Sequence, residues 1–282
     1  MKLVIDASSI MWTSLLVGKD PEGFSVLMDN GKDFHVNKAP YGYECAVNMI
    51  VAALGELNLA PKDIVFVYEG MSSKQTRLMI DKEYKATRGK RPAESYLEFG
   101  KLKEMLQDTF FKLGSIAVSQ DFVEGDDVLG WIAQNTEEDI TVMSNDNDMY
   151  ALCTEGGVNK YGAKVDVRIN GVINYNKLCV PADTYVVYKS LIGDSSDNIK
   201  GTPGFGPKAW EAFMQTYGDA GLYELKKCVA AKSFKDLESE IDNKCVRLIV
   251  EKEGDFRKSY NLATIHTEWV NTLRWPLNWT PG

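Results

Sequence analysis

The sequence predicts an α/β protein: a mostly parallel central sheet flanked by helices, followed by a helical C-terminal region. Short β-rich apolar runs recur, and each is closely followed by a carboxylate. Segments of helical periodicity separate these runs, which is the pattern of crossover connections in a parallel sheet. Beyond Pro181 the strand signals stop and helical stretches take over.

The first run, Leu3-Val4-Ile5, ends at Asp6. Ala39 to Leu59 then reads as a helix, and Ile64 to Tyr68 as a strand ending at Glu69. Glu124-Gly125-Asp126-Asp127 opens a helix that runs to Asn135, where first-turn N–H groups and the helix dipole favour negative charge. Ile140 to Met143 is the next strand, followed by Asp146 and Asp148. Helices are expected over Ala182 to Leu191, Lys208 to Tyr217, Leu222 to Ala230 and Glu238 to Glu251. The resulting division is an α/β core over residues 1–180 and a helical region over residues 181–282.

Composition narrows the chemistry. The chain has 282 residues and a net charge of −8, with no stretch approaching a membrane span and no signal-like start, so a cytoplasmic protein is expected. Five cysteines stand far apart without a C-x-x-C pair, which argues against disulfides and structural zinc and for reduced core residues. His35 and His266 are the only histidines, so a histidine-based triad or metal site is not expected. What accumulates instead is oxygen: Asp6, Glu69, Glu124, Asp126, Asp127, Asp146, Asp148, Asp194 and Asp197 fall at strand ends and helix starts. Gathered without cations they would repel one another, and oxygen-only donors point to Mg²⁺ or Mn²⁺.

Two further segments stand out. Between Lys74 and Lys103, nine basic residues face four acidic ones within a negatively charged chain. Residues 193–209 read GDSSDNIKGTPGFGPKA: Asp194 and Asp197 would share a face of a helical turn, and a glycine-rich loop follows whose bare N–H groups can surround an anion. Pro207 is placed to begin the next helix.

In order and spacing, VIDAS, FVYEG, YKATR, VEGDDVLG, NDNDMYAL and GDSSDNIKGTPGFGPKA resemble the structure-specific 5′ nucleases: flap endonucleases, phage 5′→3′ exonucleases and the nuclease domain of bacterial DNA polymerase I. That resemblance implies a PIN-like core with a helical arch at about residues 70–110 and a C-terminal helix–three-turn–helix element. It implies divalent-metal-dependent hydrolysis of phosphodiesters near DNA 5′ ends, exonucleolytic or at flaps, with two ions serving one site. Asp6, Glu69, Glu124, Asp126, Asp127 and Asp146 would hold or surround one ion, and Asp148, Asp194 and Asp197 the other. Glu69 departs from the family's usual Asp.

By the same likeness Tyr84, Lys85 and Arg88 lie on the arch's active-site helix, the cations stabilising phosphate charge and Tyr84 stacking on a base. Lys74, Arg77, Lys82, Lys90 and Arg91 in the arch, and Gly201, Gly204, Gly206 and Lys208 in the glycine loop, would contact DNA, with K⁺ at that loop. The implied substrates are DNA with 5′ ends, flaps or nicks and RNA–DNA hybrids, taken by a monomer in the cytoplasm, a host's if the chain is phage-encoded. Two other readings are a scaffold that binds DNA without cutting it and a Mg²⁺-dependent phosphatase. The D-x-D nucleophile pattern of the latter is missing at Asp6-Ala7-Ser8.

Overall fold

The computed structural model describes residues 1–27, 31, 33–152, 158–169, 172–173, 180–234, 237 and 243–271. It divides into two compact units, one formed by residues 1–75, 89–175 and 266–282, the other by residues 76–88 and 176–265.

The first unit is built on a six-stranded sheet: β1 (Lys2–Asp6), β4 (Ile64–Val67), β5 (Ile116–Val118), β6 (Ile140–Ser144), β7 (Val165–Ile169) and β8 (Val172–Ile173), in the order β5-β4-β1-β6-β7-β8. The first five of these pair parallel and β8 pairs antiparallel with β7. β1 therefore has β4 on one side and β6 on the other, a topological switch point of the kind that opens a crevice at the carboxyl ends. A separate hairpin joins β2 (Phe24–Leu27) and β3 (Asp33–Val36).

The strands at this switch point are buried and mostly apolar because both faces are covered, with the polar Asp6 and Ser144 at their ends. Leu3, Ile5, Ile64 and Phe66 are fully buried with Ile50 of α2 (Ala39–Leu57) and Leu102 and Leu106 of α4 (Ala93–Lys112). α1 (Ala7–Leu16) follows β1 directly and α5 (Gly125–Asn135) precedes β6. Pro40 at the start of α2 and Asn58 in the left-handed region at its end set that helix's limits.

The second unit is helical. It contains most of α3 (Gln75–Ile80), α6 (Tyr185–Ile192), α7 (Pro207–Ala230), α8 (Lys244–Glu251) and α9 (Glu253–Ala263) around Val187, Leu191, Phe213, Leu222 and Phe256. Pro207 does open α7, as expected. The two helices expected over 208–230 are one element with a break at Gly218, whose φ of 56° and ψ of −151° are non-helical. Residues 238–242 of the last expected helix lie outside the described residues, and α8 starts where Asn243 caps Cys245 and Val246. Among the described residues no helix is long and apolar enough to cross a membrane. Cys45, Cys228 and Cys245 are free thiols, the last two buried. Cys153 and Cys179 lie outside the described residues.

Candidate active site

Asp6 is the pivot of the first unit's site. It ends β1, caps α1 by accepting from Ser9 N at 3.0 Å, and accepts from Ser144 Oγ at the end of β6 at 2.8 Å. Burial pushes its carboxyl up to about 6, and the charges of Asp146 and Glu69 add to the rise while the two hydrogen bonds oppose it. A buried acid beside two other acids is an unfavourable arrangement unless a cation shares it.

The neighbours are fixed by short loops. Ser144 Oγ accepts from Asp146 N at 3.0 Å, and Asp146 Oδ1 accepts from Asp148 N at 2.9 Å, so both acids sit just past β6 on a defined turn. Glu69, two residues past β4, accepts from Gly125 N at 3.1 Å, bringing it to the first turn of α5. A Cβ at residue 125 would lie 3.3 Å from Glu69 Oε1, so glycine there lets the carboxylate approach the helix start. Glu124 is buried and Asp126 half-buried at that same start. Glu69, Glu124 and Asp126 thus reach the carboxyl end of the sheet from two elements.

Asp127 differs. It is fully buried, one oxygen accepting from Glu124 N at 3.3 Å and the other from His266 N at 2.7 Å. Its carboxylate is engaged by backbone donors on both sides.

In the second unit the expected helical turn at 193–199 is not a helix. Asp194 and Ile199 exchange backbone hydrogen bonds of 2.8 Å in each direction, closing a tight loop entered at Gly193 (φ 86°) and left through Asn198 (φ 57°). Left-handed residues at these positions rule out continuous helix. Lys189 Nζ lies 2.6 Å from Asp194 Oδ2, and Ser196 donates to Asp194 Oδ1 from both N–H and hydroxyl. Burial alone would raise the Asp194 carboxyl; Lys189 and Ser196 prevail and hold it down at about 2. Lys189 was not singled out by its sequence position, five residues before Asp194. A lysine followed at that interval by an acid across a glycine was the available signal.

The folded-state value of Asp194 lies below the ordinary 3.8, so the pair stabilises above about pH 4 and its contribution fades as pH falls through about 2. Lys189→Met is therefore expected to cost about 2 kcal/mol at neutral pH by removing the cation from a half-buried carboxylate that then keeps only Ser196. Urea unfolding at pH 7, 4 and 2.5 checks this: the gap between variant and parent should narrow toward the lowest pH.

Asp197 accepts from the YKATR segment. Tyr84 Oη donates to Asp197 Oδ2 at 3.3 Å, Lys85 Nζ lies 3.6 Å from the same oxygen, and Arg88 pairs with Oδ1. Lys85 N also donates to Asp197 O at 2.8 Å. Two expectations are corrected here. Residues 82–87 form successive turns with Lys85 in the left-handed region (φ 54°), where an α-helix had been expected. Tyr84 is 4 % exposed, packed with Ile199 and Leu262 and flanked by Lys85 Nζ 4.9 Å from its ring centroid, so its ring is not offered to a base.

Arg77 is corrected as well. Its guanidinium is buried and donates to Leu262 O at 3.3 Å and Thr264 O at 2.7 Å, the carbonyls at the end of α9, in place of a surface contact. Lys74, Lys82 and Lys90 are exposed, and Arg91 lies 3.8 Å over the ring of Trp12. In the glycine loop, Gly204, Gly206 and Lys208 are exposed but Gly201 is buried. A Cβ on Gly201 would come within 2.5 Å of Gly193 N, so this glycine permits two backbone segments to touch.

A parallel sheet whose switch-point strands end in acids, with a third acidic group at a helix start, defines a PIN-like α/β domain with an acidic sheet end. The family model described as 5′-3′ exonuclease, N-terminal resolvase-like domain, matches residues 2–176, and the chain belongs to that family. The 5′-3′ exonuclease of Buchnera aphidicola subsp. Acyrthosiphon pisum is 27% identical over 211 residues, covering 72% of this chain and 69% of that protein. DNA polymerase I of Rhizobium leguminosarum is 28% identical over 191 residues, which are 67% of this chain but 18% of the polymerase, and that of Lactococcus lactis subsp. cremoris is 28% identical over 251 residues, 82% of this chain and 26% of the polymerase. The chain thus spans about a fifth to a quarter of these polymerases' length.

Among solved structures, the bacteriophage T5 5′-exonuclease with bound zinc superposes with a TM-score of 0.60 at 17% identity, over 94% of this chain and 90% of that one. The T5 flap endonuclease in a pseudo-enzyme-product complex with DNA and metal ions gives 0.59 at 16% identity, over 94% and 89%. At such identity the likeness is one of fold.

Proposed function

We propose that the protein is a divalent-metal-dependent 5′ nuclease, cutting phosphodiesters near the 5′ end of DNA by structure and not by sequence. The observation that carries this is the buried Asp6 with its raised carboxyl pKa, held among Asp146 and Glu69 at the sheet's switch point. Hard oxygen donors in a crowded group fit Mg²⁺ or Mn²⁺. In this reading one ion belongs to Asp6, Glu69, Glu124, Asp126 and Asp146, with Asp148 on the turn beside them, and a second to Asp194 and Asp197. Bound there, the ions would supply Lewis-acid activation of water and stabilisation of the leaving oxygen.

The chain's own side chains have separate work. Ser144 and Ser9 orient Asp6; Gly125 lets Glu69 reach the helix start; Lys189 keeps Asp194 ionised. Lys85 and Arg88, held against Asp197, are the cations we assign to the scissile phosphate. Lys74, Lys82 and Lys90, with Gly204, Gly206 and Lys208, would position the duplex through its phosphates, and K⁺ at the glycine loop would add to that grip. We assign exonuclease and flap cleavage to this one site, on DNA and on RNA–DNA hybrids, in a monomer acting in the cytoplasm.

A 5′-labelled flap duplex incubated with Mg²⁺ or with EDTA, beside nitrophenyl phosphate, tests the reading. Cleavage of the flap with Mg²⁺ alone is expected; nitrophenyl phosphate turnover would favour a phosphatase, and flap binding without cutting a scaffold. Because the proposed DNA contacts are phosphate contacts, the Kd for the flap in Ca²⁺ should weaken at least tenfold between about 50 and 200 mM salt. A flat salt titration by fluorescence anisotropy would contradict those contacts.

A further inference from the structure

We propose that Asp127 is a positioning residue and not a metal ligand, and that it holds the acid-bearing start of α5 against a strap formed by residues 266–271. The inference rests on the nuclease reading of this site. Asp127 is fully buried, and its two oxygens accept from backbone N–H groups on opposite sides: Glu124 N at 3.3 Å within the helix start and His266 N at 2.7 Å on the strap. A carboxylate accepting backbone N–H bonds on both oxygens is fixed in orientation by them.

The strap is tied at further points. Gln120, buried in the loop before α5, donates to Trp269 O at 2.9 Å and accepts from Asn271 N at 3.0 Å, as a strand neighbour would. Thr267 Oγ1 donates to Gln134 Oε1 at 3.0 Å near the far end of α5. His266 stacks on Trp269 with ring centroids 3.7 Å apart, and its Nδ1 lies 2.6 Å from Glu268 Oε1. The strap therefore grips the loop before α5, its first turn and its last turn. Glu124 and Asp126 project from the turn that Asp127 anchors, so their placement depends on a bond made to residue 266.

Three variants of the full chain test this, each measured for Mn²⁺ stoichiometry by electron paramagnetic resonance, flap Kd in Ca²⁺, and single-turnover rate in Mg²⁺. Asp127→Asn keeps the shape but turns one acceptor into a donor facing a backbone N–H. It should bind as many Mn²⁺ ions as the parent, hold the flap with unchanged Kd, and cut roughly 100-fold more slowly, the loss expected when reacting groups shift by about 1 Å. Loss of one bound Mn²⁺ would make Asp127 a ligand and overturn the proposal, as would an unchanged rate.

His266→Pro and His266→Ala serve where Asp127→Asn does not fold. The backbone at 266 has φ −89°, near what a proline ring adopts, so both variants lose the imidazole but only the proline loses the N–H to Asp127. The alanine variant should cut within about threefold of the parent and the proline variant at least tenfold more slowly than the alanine one. Equal rates would sink the proposal. A parent chain that binds Mn²⁺ but never cuts the flap would refute the nuclease reading instead, leaving the Mn²⁺ count to judge Asp127.

Discussion

Asp6→Asn should abolish flap cleavage and at the same time make the metal-free protein more stable at pH 7.5. The two effects share one cause. The carboxyl of Asp6 titrates near 6 in the folded chain against 3.8 for an ordinary Asp, because it is buried and faces Asp146 and Glu69. The folded state therefore keeps a proton that the unfolded chain has already released. The contribution of that proton is complete below about pH 4 and is lost as pH rises through about 6. At pH 7.5 the ionised Asp6 costs up to about 3 kcal/mol, which asparagine removes while still accepting from Ser9 N and meeting the Ser144 hydroxyl. In EDTA the variant should melt several degrees above the parent at pH 7.5 and show no such gain at pH 4. Cleavage should fall by about a thousandfold or more, because the metal-site charge that stabilises the transition state is reduced. Unchanged melting at pH 7.5 would refute the electrostatic account, and retained cleavage would remove Asp6 from the site.

Lys85→Ala should lower the single-turnover rate by about 10²- to 10³-fold while changing flap affinity less than threefold, since a cation aimed at developing phosphate charge acts on the transition state. The structure adds a second consequence. Lys85 Nζ is buried 3.6 Å from Asp197 Oδ2, and Arg88 and Tyr84 also engage that carboxylate. Losing one cation leaves Asp197 with Arg88, Tyr84 and the Ser196 hydroxyl, so the variant should fold. Lys85→Arg is a sharper probe: it keeps charge, but a planar guanidinium does not replace a compact ammonium in a buried site. If both variants weaken flap binding in step with the rate, Lys85 is an ordinary phosphate contact.

The strands that make the site could be read because their residues admit one interpretation. Leu3-Val4-Ile5 and Ile64 to Val67 are unbroken apolar runs and Ile140 to Met143 is interrupted only by Thr141, as a doubly covered parallel sheet requires. β7 was not recognised because Asp166 and Arg168 alternate with its apolar residues. Both are buried, the first paired with Lys164 at 2.8 Å and the second with Glu56, a partner 112 residues away that a local pattern does not contain. β5 has three residues, too few for a period, and α4 read as a charged arch because Glu94, Glu98, Lys101 and Lys103 lie along it although Leu102, Leu106 and Phe110 are buried.

Site carboxylates were legible for a related reason: a carboxylate just past a hydrophobic strand stands out whatever lies around it. Their partners were not. Tyr84 meets Asp197 across 113 residues of chain, and Arg77 reaches Leu262 across 185, so nothing near either residue distinguishes a buried structural role from a surface one. Asp127 is the sharpest case, since its sequence neighbours are acids of the site and its decisive donor is 139 residues away.

That separation bears on how the chain is made. The first unit is discontinuous, and the hydrogen bond from His266 to Asp127 can form only after the whole of residues 176–265 has been synthesised. Contacts of such long sequence separation close late and slowly. A nascent chain would carry β1, β4 and β6 complete while the start of α5 still lacked its final donor. Competence to cut would then arrive only once residue 266 has been added and can reach Asp127.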